Sequence, residues 1–173
     1  VKWERFRQAP AQDPDAVQCG KMVLNAARYN WARSPSDAAL IEQDGMKLSG
    51  VQGHDLVRPA CAAASAMAIV LKTGLFDEQA VGVRRPEAVA RAVRLIKATA
   101  GCHGRRSWNY PWQSALWAAS LGQAAWMLWD DLDAATRDAV RVIVEFEADR
   151  FLAKGYQVPY WNGIGGDTKA EEN

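Results

Sequence analysis

Residues 56–73 read LVRPACAAASAMAIVLKT, and this stretch decides the fold. Pro59 lies close to its start and Gly74 follows its end, which are positions that these two residues favour in helices. Small side chains, mostly Ala and Ser, lie on all sides of the predicted helix and let neighbouring helices approach closely. Because a helix without a polar face must be covered on every side, the stretch predicts a buried inner helix.

Further helices of two kinds are predicted around this one. Residues 111–129 are apolar nearly all round and predict a second inner helix, whereas three other segments are apolar on one face only, as outer helices are. The first outer helix is predicted at 13–34, where Ser34-Pro35 ends it, and a short helical turn at 37–43 follows. The second is predicted at 86–100, and the third runs from the N-cap Asp133 to Gly155. Their expected buried stripes are Val17, Met22, Val23, Ala26, Ala27 and Asn30 in the first, Val89, Val93 and Ile96 in the second, and Val140, Ile143, Val144, Phe146 and Phe151 in the third.

The start of one more inner helix is visible near the end of the sequence. Thr168 and Glu171 have the spacing of a capping box. The sequence ends at Asn173, however, and an isolated helix needs about 12 residues, so we expect the protein to continue beyond this point. Inner and outer helices alternate with a hairpin period of roughly 55 residues. The predicted fold is all-α, a single helical domain over residues 1–173 that forms antiparallel hairpins and about half of an (α/α)6 toroid.

The composition argues against several classes of protein. A net charge of +1 gives no basis for nucleic-acid binding, and 49% hydrophobic with 24% charged residues is a globular balance. The longest apolar stretch, residues 60–71, is too short to cross a membrane. Three cysteines without a CxxC pair make a zinc site improbable, and no metal or cofactor is predicted. Cys61 and Cys19 are expected to be small buried hydrophobes, with at most one internal disulfide.

The loops that precede the inner helices should all emerge at one end of the hairpins. They cover residues 45–55, 101–110 and 155–167, and they carry both histidines, three of the four tyrosines and several Trp, Asn and Arg residues. Loops placed by a rigid scaffold are where binding groups usually lie. The sequence therefore predicts a functional site at this end.

Residues 108–113 provide the first part of this predicted site. An indole ring, as in Trp108 or Trp112, can stack on the C–H face of a sugar, and the amides of Asn109 and Gln113 can bind hydroxyl or carboxylate groups. Tyr110 adds a phenol. The alternative is that Asn109 only caps the next helix and that Trp112 belongs to the core.

His54 and Arg58 provide the second part. Asp55 could orient the His54 imidazole as a base, while Arg58 could bind a carboxylate bidentately. Alternatively, Asp55 caps the inner helix and His54 is an ordinary loop residue. Arg105, next to a weaker candidate at His103, is either an anion contact or part of a solvated turn.

The segment 160–173 provides the third part, with glycines that let a ligand approach the backbone and a helix start that favours anions. Its carboxylates could be general acid and base, calcium ligands or simple caps. The candidate residues here are Tyr160, Trp161, Asn162, Asp167, Lys169 and Glu172. By contrast, the acidic run at 130–133 predicts only a turn at the opposite end.

The helical alternation, the segment Ser107-Trp108-Asn109-Tyr110-Pro111-Trp112-Gln113 and the segment from Gly166 to Asn173 resemble the toroid of heparinase II/III-like and alginate-lyase-like proteins. The resemblance implies that an Asn neutralises the uronate carboxylate, that a Tyr or His removes the C5 proton, and that a Tyr protonates the leaving oxygen. It assigns these catalytic roles to Asn109, to Tyr110 or Tyr160, and to His54 as a second base. The β-sandwich domain that follows the toroid in this family has no counterpart here.

We therefore expect a carbohydrate-active enzyme, a lyase that acts by β-elimination on a uronate-containing polysaccharide and is secreted or periplasmic. Its expected partners are the polysaccharide and the missing C-terminal portion of the same protein, with neither nucleic acid nor membrane. One alternative is a glycoside hydrolase on the same scaffold that uses Asp167 or Glu172. The other is a non-catalytic carbohydrate-binding module.

Overall fold

A computed structural model of the protein describes residues 14–44, 50–103, 108 and 113–149, with only the backbone of residues 50–54. Helices account for 88% of these residues, which include no strand, so the predicted all-α class is confirmed. The arrangement as hairpins of a toroid stays a prediction. The described helices are α1 Pro14–Asp44, α2 Gly50–Lys72, α3 Glu78–Val81, α4 Arg85–Gly101, α5 Ser114–Met127 and α6 Ala134–Asp149, with a 3-10 turn at Trp129–Asp131 between the last two.

Helix α1 continues through Pro35, where the sequence predicted its end. A proline inside a helix leaves the carbonyl four residues earlier without its usual N–H donor. That carbonyl belongs to Trp31, and it accepts hydrogen bonds from Arg91 Nη1 at 3.0 Å and from Ser34 Oγ at 3.2 Å. The prediction was wrong because a residue from α4 supplies the donor that Pro35 lacks.

The uninterrupted helix also changes which face of α1 is buried. Val17 and Met22 of the predicted stripe are exposed. Of the residues in that stripe, Ala27 alone lies in the core. The true stripe repeats every three or four residues across Pro35, which is the period of a helical face. It consists of Ala27, Trp31, Ser34, Ala38 and Ile41.

The predicted stripes of the other two outer helices also need correction. In α4 the most buried residues are Ala88, Ala92, Leu95, Ile96 and Thr99, and Val89 and Val93 are only partly buried. Small alanines at this contact allow close helix packing. In α6, Val140 and Ile143 are buried as predicted, whereas Val144 and Phe146 are exposed and Glu147 is buried in their place.

Helix α2 begins earlier than predicted, at Gly50 instead of Leu56. His54 and Asp55 therefore lie within the helix and not in a preceding loop, and Pro59 lies in the interior and not in the first turn. The second inner helix is shorter than predicted and spans Ser114–Met127. The N-cap prediction for α6 is confirmed, because Asp133 Oδ1 accepts from the Thr136 backbone N–H at 2.7 Å.

The two apolar helices α2 and α5 pack against each other, and Ser65 of α2 donates a hydrogen bond to Gln123 of α5 at 2.7 Å. Helix α2 also packs against α1 and α4, while α5 packs against α4 and α6. Ala, Val and Leu fill the centre of α2 as predicted for a buried helix. No helix in the described ranges is long and apolar enough to cross a membrane.

The three cysteines are free thiols. Cys61 is buried, as expected of a small hydrophobe, but Cys19 is exposed, contrary to expectation, and Cys102 is also buried. Burial raises the pKa of Cys61 strongly and that of Cys102 to about 12. Since the thiolate is the reactive form, the two buried cysteines should be inert in the folded protein.

We expect iodoacetamide at pH 8 to modify the folded protein once, at Cys19, and the denatured protein three times. Mass spectrometry of the intact chain and of its peptides measures both results. Rapid modification of Cys61 or Cys102 in the folded protein would contradict the packing described here.

Arg91→Ala should lower the free energy of unfolding by about 1–2 kcal/mol, because the Trp31 carbonyl loses its charged donor. The loss should shrink in a Pro35→Ala background, where the restored N–H can bond to that carbonyl. Urea denaturation of the four proteins of this cycle measures the coupling. Arg94→Ala, which breaks only an exposed ion pair with Glu42, is the control and should cost less than about 1 kcal/mol. Equal losses with and without Pro35 would refute the compensation.

Candidate functional site

Four helices bring polar residues together at one end. The end consists of the N-terminal half of α2, the start of α5 and the C-terminal ends of α4 and α6. Arg58 Nη1 of α2 donates to Gln113 Oε1, the residue before α5, at 3.1 Å. Next to Gln113, Ser114 contacts the carboxylate of Glu147 in α6, which also contacts His103, just after α4. We call Arg58, His103, Gln113, Ser114 and Glu147 the polar end cluster.

The carboxylate of Glu147 is the most deeply buried charged group of this cluster, at 1% exposure. Its Oε1 lies 2.8 Å from His103 Nε2, and its Oε2 accepts from Ser114 Oγ at 2.8 Å. With Glu147 ionised, its carboxylate only accepts hydrogen bonds, and His103 Nε2 is then the donor. Each carboxylate oxygen thus has a donor, which offsets part of the cost of removing it from water.

This arrangement does not make Ser114 a nucleophile. A nucleophilic serine needs a base at its hydroxyl, usually a histidine that a carboxylate then orients. Here the carboxylate lies in the middle, with the hydroxyl of Ser114 on one oxygen and the imidazole of His103 on the other. The three residues form a structural bridge between α6 and the two ends of the chain that connects α4 to α5.

Trp108 lies inside this end of the molecule. Its ring is 1% exposed and meets the His103 ring edge-on, with the centroids 4.5 Å apart at 87°. Its indole N–H donates to the Thr99 carbonyl at 2.9 Å, and its backbone N–H donates to the His103 carbonyl at 3.2 Å. The backbone has a φ of 51°, which is uncommon for a bulky residue. Trp108 is therefore a packed core residue here and offers no open ring face to a sugar.

The structure brings two predicted substrate-binding residues, Arg58 and Gln113, into contact. His54 lies one helical turn before Arg58 in α2, and only its backbone is described. Trp108 is described and buried. The other predicted site residues lie outside the described ranges: Arg105, Asn109, Tyr110, Trp112, Tyr160, Trp161, Asn162, Asp167, Lys169 and Glu172.

The sequence analysis missed Glu147 and Ser114. A signal for Glu147 exists, since it continues the stripe of Val140 and Ile143 at helical spacing, where an apolar residue is expected. A carboxylate on a buried stripe implies donors from other elements. Ser114 gives no such signal, because a serine at a helix start is commonplace.

Exposed ion pairs lie around the start of α6. Lys72 lies 3.3 Å from Asp131, and Lys97 lies 3.0 Å from Asp133. The cap bond from Thr136, with help from Lys97, lowers the pKa of Asp133 to about 2. Asp131 falls in the 3-10 turn, as the prediction of a turn implied. Within the described part of the chain, no group of three His, Cys, Asp or Glu residues could hold a metal ion.

Trp108→Phe should lower the free energy of unfolding by about 1–3 kcal/mol, because the buried Thr99 carbonyl loses the indole donor. Trp126→Phe is the matched control, since Trp126 is 53% exposed and should change stability by less than about 0.5 kcal/mol. Urea denaturation compares the two variants. Equal effects would mean that Trp108 is not held as described.

No family model matches the chain, and comparison with curated proteins and with solved structures gave no significant match.

Proposed function

We propose that the protein is a polysaccharide lyase-like enzyme that cleaves a uronate-containing polysaccharide by β-elimination. The observation that carries the proposal is the contact between Arg58 and Gln113. These two residues lie 55 positions apart in the sequence, and each was predicted independently to bind the substrate. Their contact at 3.1 Å supports a shared ligand-binding end.

The chemistry of this end suits a sugar acid. The guanidinium of Arg58 is permanently charged and can hold a carboxylate with two parallel hydrogen bonds. The amide of Gln113 can bond to a sugar hydroxyl as well as to Arg58. Helix α5 begins beside them, and the positive end of its dipole favours an anion. A uronate unit combines the carboxylate and the hydroxyls that these groups recognise.

The proposed reaction uses residues from the three segments of the predicted site. Asn109 would neutralise the uronate carboxylate, which makes the C5 proton more acidic. Tyr110, Tyr160 or His54 would remove that proton, and the electron pair would form the C4–C5 double bond as the C4–O bond breaks. A tyrosine would return a proton to the departing glycosidic oxygen. This assignment rests on the resemblance to heparinase II/III-like and alginate-lyase-like proteins.

The proposal includes the architecture. We infer that α2 and α5 are neighbouring inner helices of an (α/α) toroid and that α1, α4 and α6 are outer ones. The packing of α2 on α5, with α1 against α4 and α4 against α6, supports this assignment. In such a ring the starts of the inner helices face one cleft, which is the end where Arg58 and Gln113 lie.

Incubation of the full-length protein with alginate, heparin-type and pectic polymers should raise the ultraviolet absorbance that an unsaturated uronate product gives. Arg58→Lys should lower kcat/KM about tenfold, which corresponds to a loss of roughly 1.4 kcal/mol of transition-state stabilisation, because lysine cannot form the bidentate contact. Arg141→Lys is the matched control, since Arg141 is exposed and pairs with Asp138 and Glu145 of its own helix. It should leave kcat/KM unchanged.

Two other results would identify the alternatives. New reducing ends without the unsaturated product would indicate a glycoside hydrolase that uses Asp167 or Glu172. Binding without turnover, weakened but not abolished by Asn109→Asp, would indicate a carbohydrate-binding module. Either result overturns the lyase proposal.

A further inference from the structure

Glu147 links parts of the chain that are far apart in sequence. It belongs to the last turn of α6, and its two oxygens contact His103, just after α4, and Ser114, the first residue of α5. Gln113 precedes Ser114 directly and accepts the hydrogen bond from Arg58. One buried side chain is thus bonded to both sides of the connection between α4 and α5.

We propose that Glu147 is a positioning residue, which holds the start of α5 and the packed Trp108 so that Gln113 and Arg58 keep their geometry for the substrate. The proposal rests on the proposed function for its kinetic part, whereas its structural part stands without it. Glu147 itself is buried, so this role acts through its neighbours.

The identity of the residue supports this role. The preceding members of the stripe are Val140 and Ile143, so packing alone would be satisfied by an aliphatic side chain. A buried carboxylate is costly unless donors reach both of its oxygens. Here a hydroxyl and an imidazole reach it at 2.8 Å each, from two different places in the chain. Such a bridge fixes directions and distances that apolar contacts leave less defined.

The surroundings of His103 strengthen the bridge. Trp108 and Phe146 meet the His103 ring edge-on, with centroid distances of 4.5 Å and 5.6 Å. The carbonyl of His103 also accepts from the backbone N–H of Trp108, whose indole reaches back to Thr99. Loss of the carboxylate would therefore loosen His103, Trp108 and the start of α5 together. The rest of α4 and α6 would keep its own contacts.

The structural test is amide hydrogen exchange of the full-length protein, read by mass spectrometry. Glu147→Gln keeps the size of the side chain but removes its charge, and it should speed exchange in peptides covering 103–114 about tenfold. Peptides from the middle of α4 and of α6 should not change. Glu145→Gln is the matched control, because Glu145 is exposed on the same helix and pairs with Arg141. Ser114→Ala, which removes the hydroxyl donor, should give a smaller local increase.

The kinetic test is a double-mutant cycle on whichever uronate polymer is turned over. Glu147→Gln and Arg58→Lys should each raise KM severalfold, and the double variant should raise it no further than Arg58→Lys alone. If the two residues acted independently, their effects on KM would multiply, whereas a loss of overall stability would lower the active fraction without raising KM. It would also speed exchange throughout the molecule. Either of these results, or unchanged exchange at 103–114 in Glu147→Gln, overturns the positioning role.

The two proposals fail separately. A native protein that turns over no uronate polymer refutes the proposed function, while the exchange measurement still decides whether Glu147 holds this end. Turnover with multiplying effects refutes the positioning role and leaves the lyase intact.

Discussion

Polar groups inside a helical core need hydrogen-bond partners, and in the described part of this protein other helices or connections supply them, as three examples show. Arg91 of α4 donates to the carbonyl of Trp31 in α1. Ser65 of α2 donates to Gln123 of α5. His103 and Ser114 bring their donors to Glu147 of α6. Small side chains allow the helices to approach, but these bonds determine how the helices are aligned, since an unsatisfied buried group costs about 1–3 kcal/mol.

The same need for partners decides what the sequence could predict. The start of α6 follows from Asp133, because a cap depends on residues only three positions apart. The course of α1 through Pro35 does not follow, because the compensating donor comes from Arg91, far away in sequence. Local rules described the cost of Pro35 correctly. They could not show that another helix offsets it.

The candidate site divides in the same way. That Arg58 and Gln113 share one end could be predicted, since both were expected near the starts of the apolar helices, and their role in binding stays a prediction. The burial of Trp108 could not, because a tryptophan in a loop-like segment can face solvent or turn inward. It turns inward here because Thr99 offers a carbonyl to its indole N–H and its ring packs against the His103 ring in a T-shaped contact.

Charged side chains are exposed around the start of α6, whereas the carboxylate of Glu147 is buried in the polar end cluster. Around the start of α6, lysines pair with Asp131 and Asp133 in water, where such pairs contribute little to stability. In the polar end cluster, Glu147 is buried away from water and contacts His103 and Ser114. A protein that needed only stability could have an aliphatic residue there, since replacing buried polar contacts by apolar packing is often neutral or favourable. The proposed positioning role would account for the buried carboxylate, with Arg58 and Gln113 as the groups whose geometry it serves.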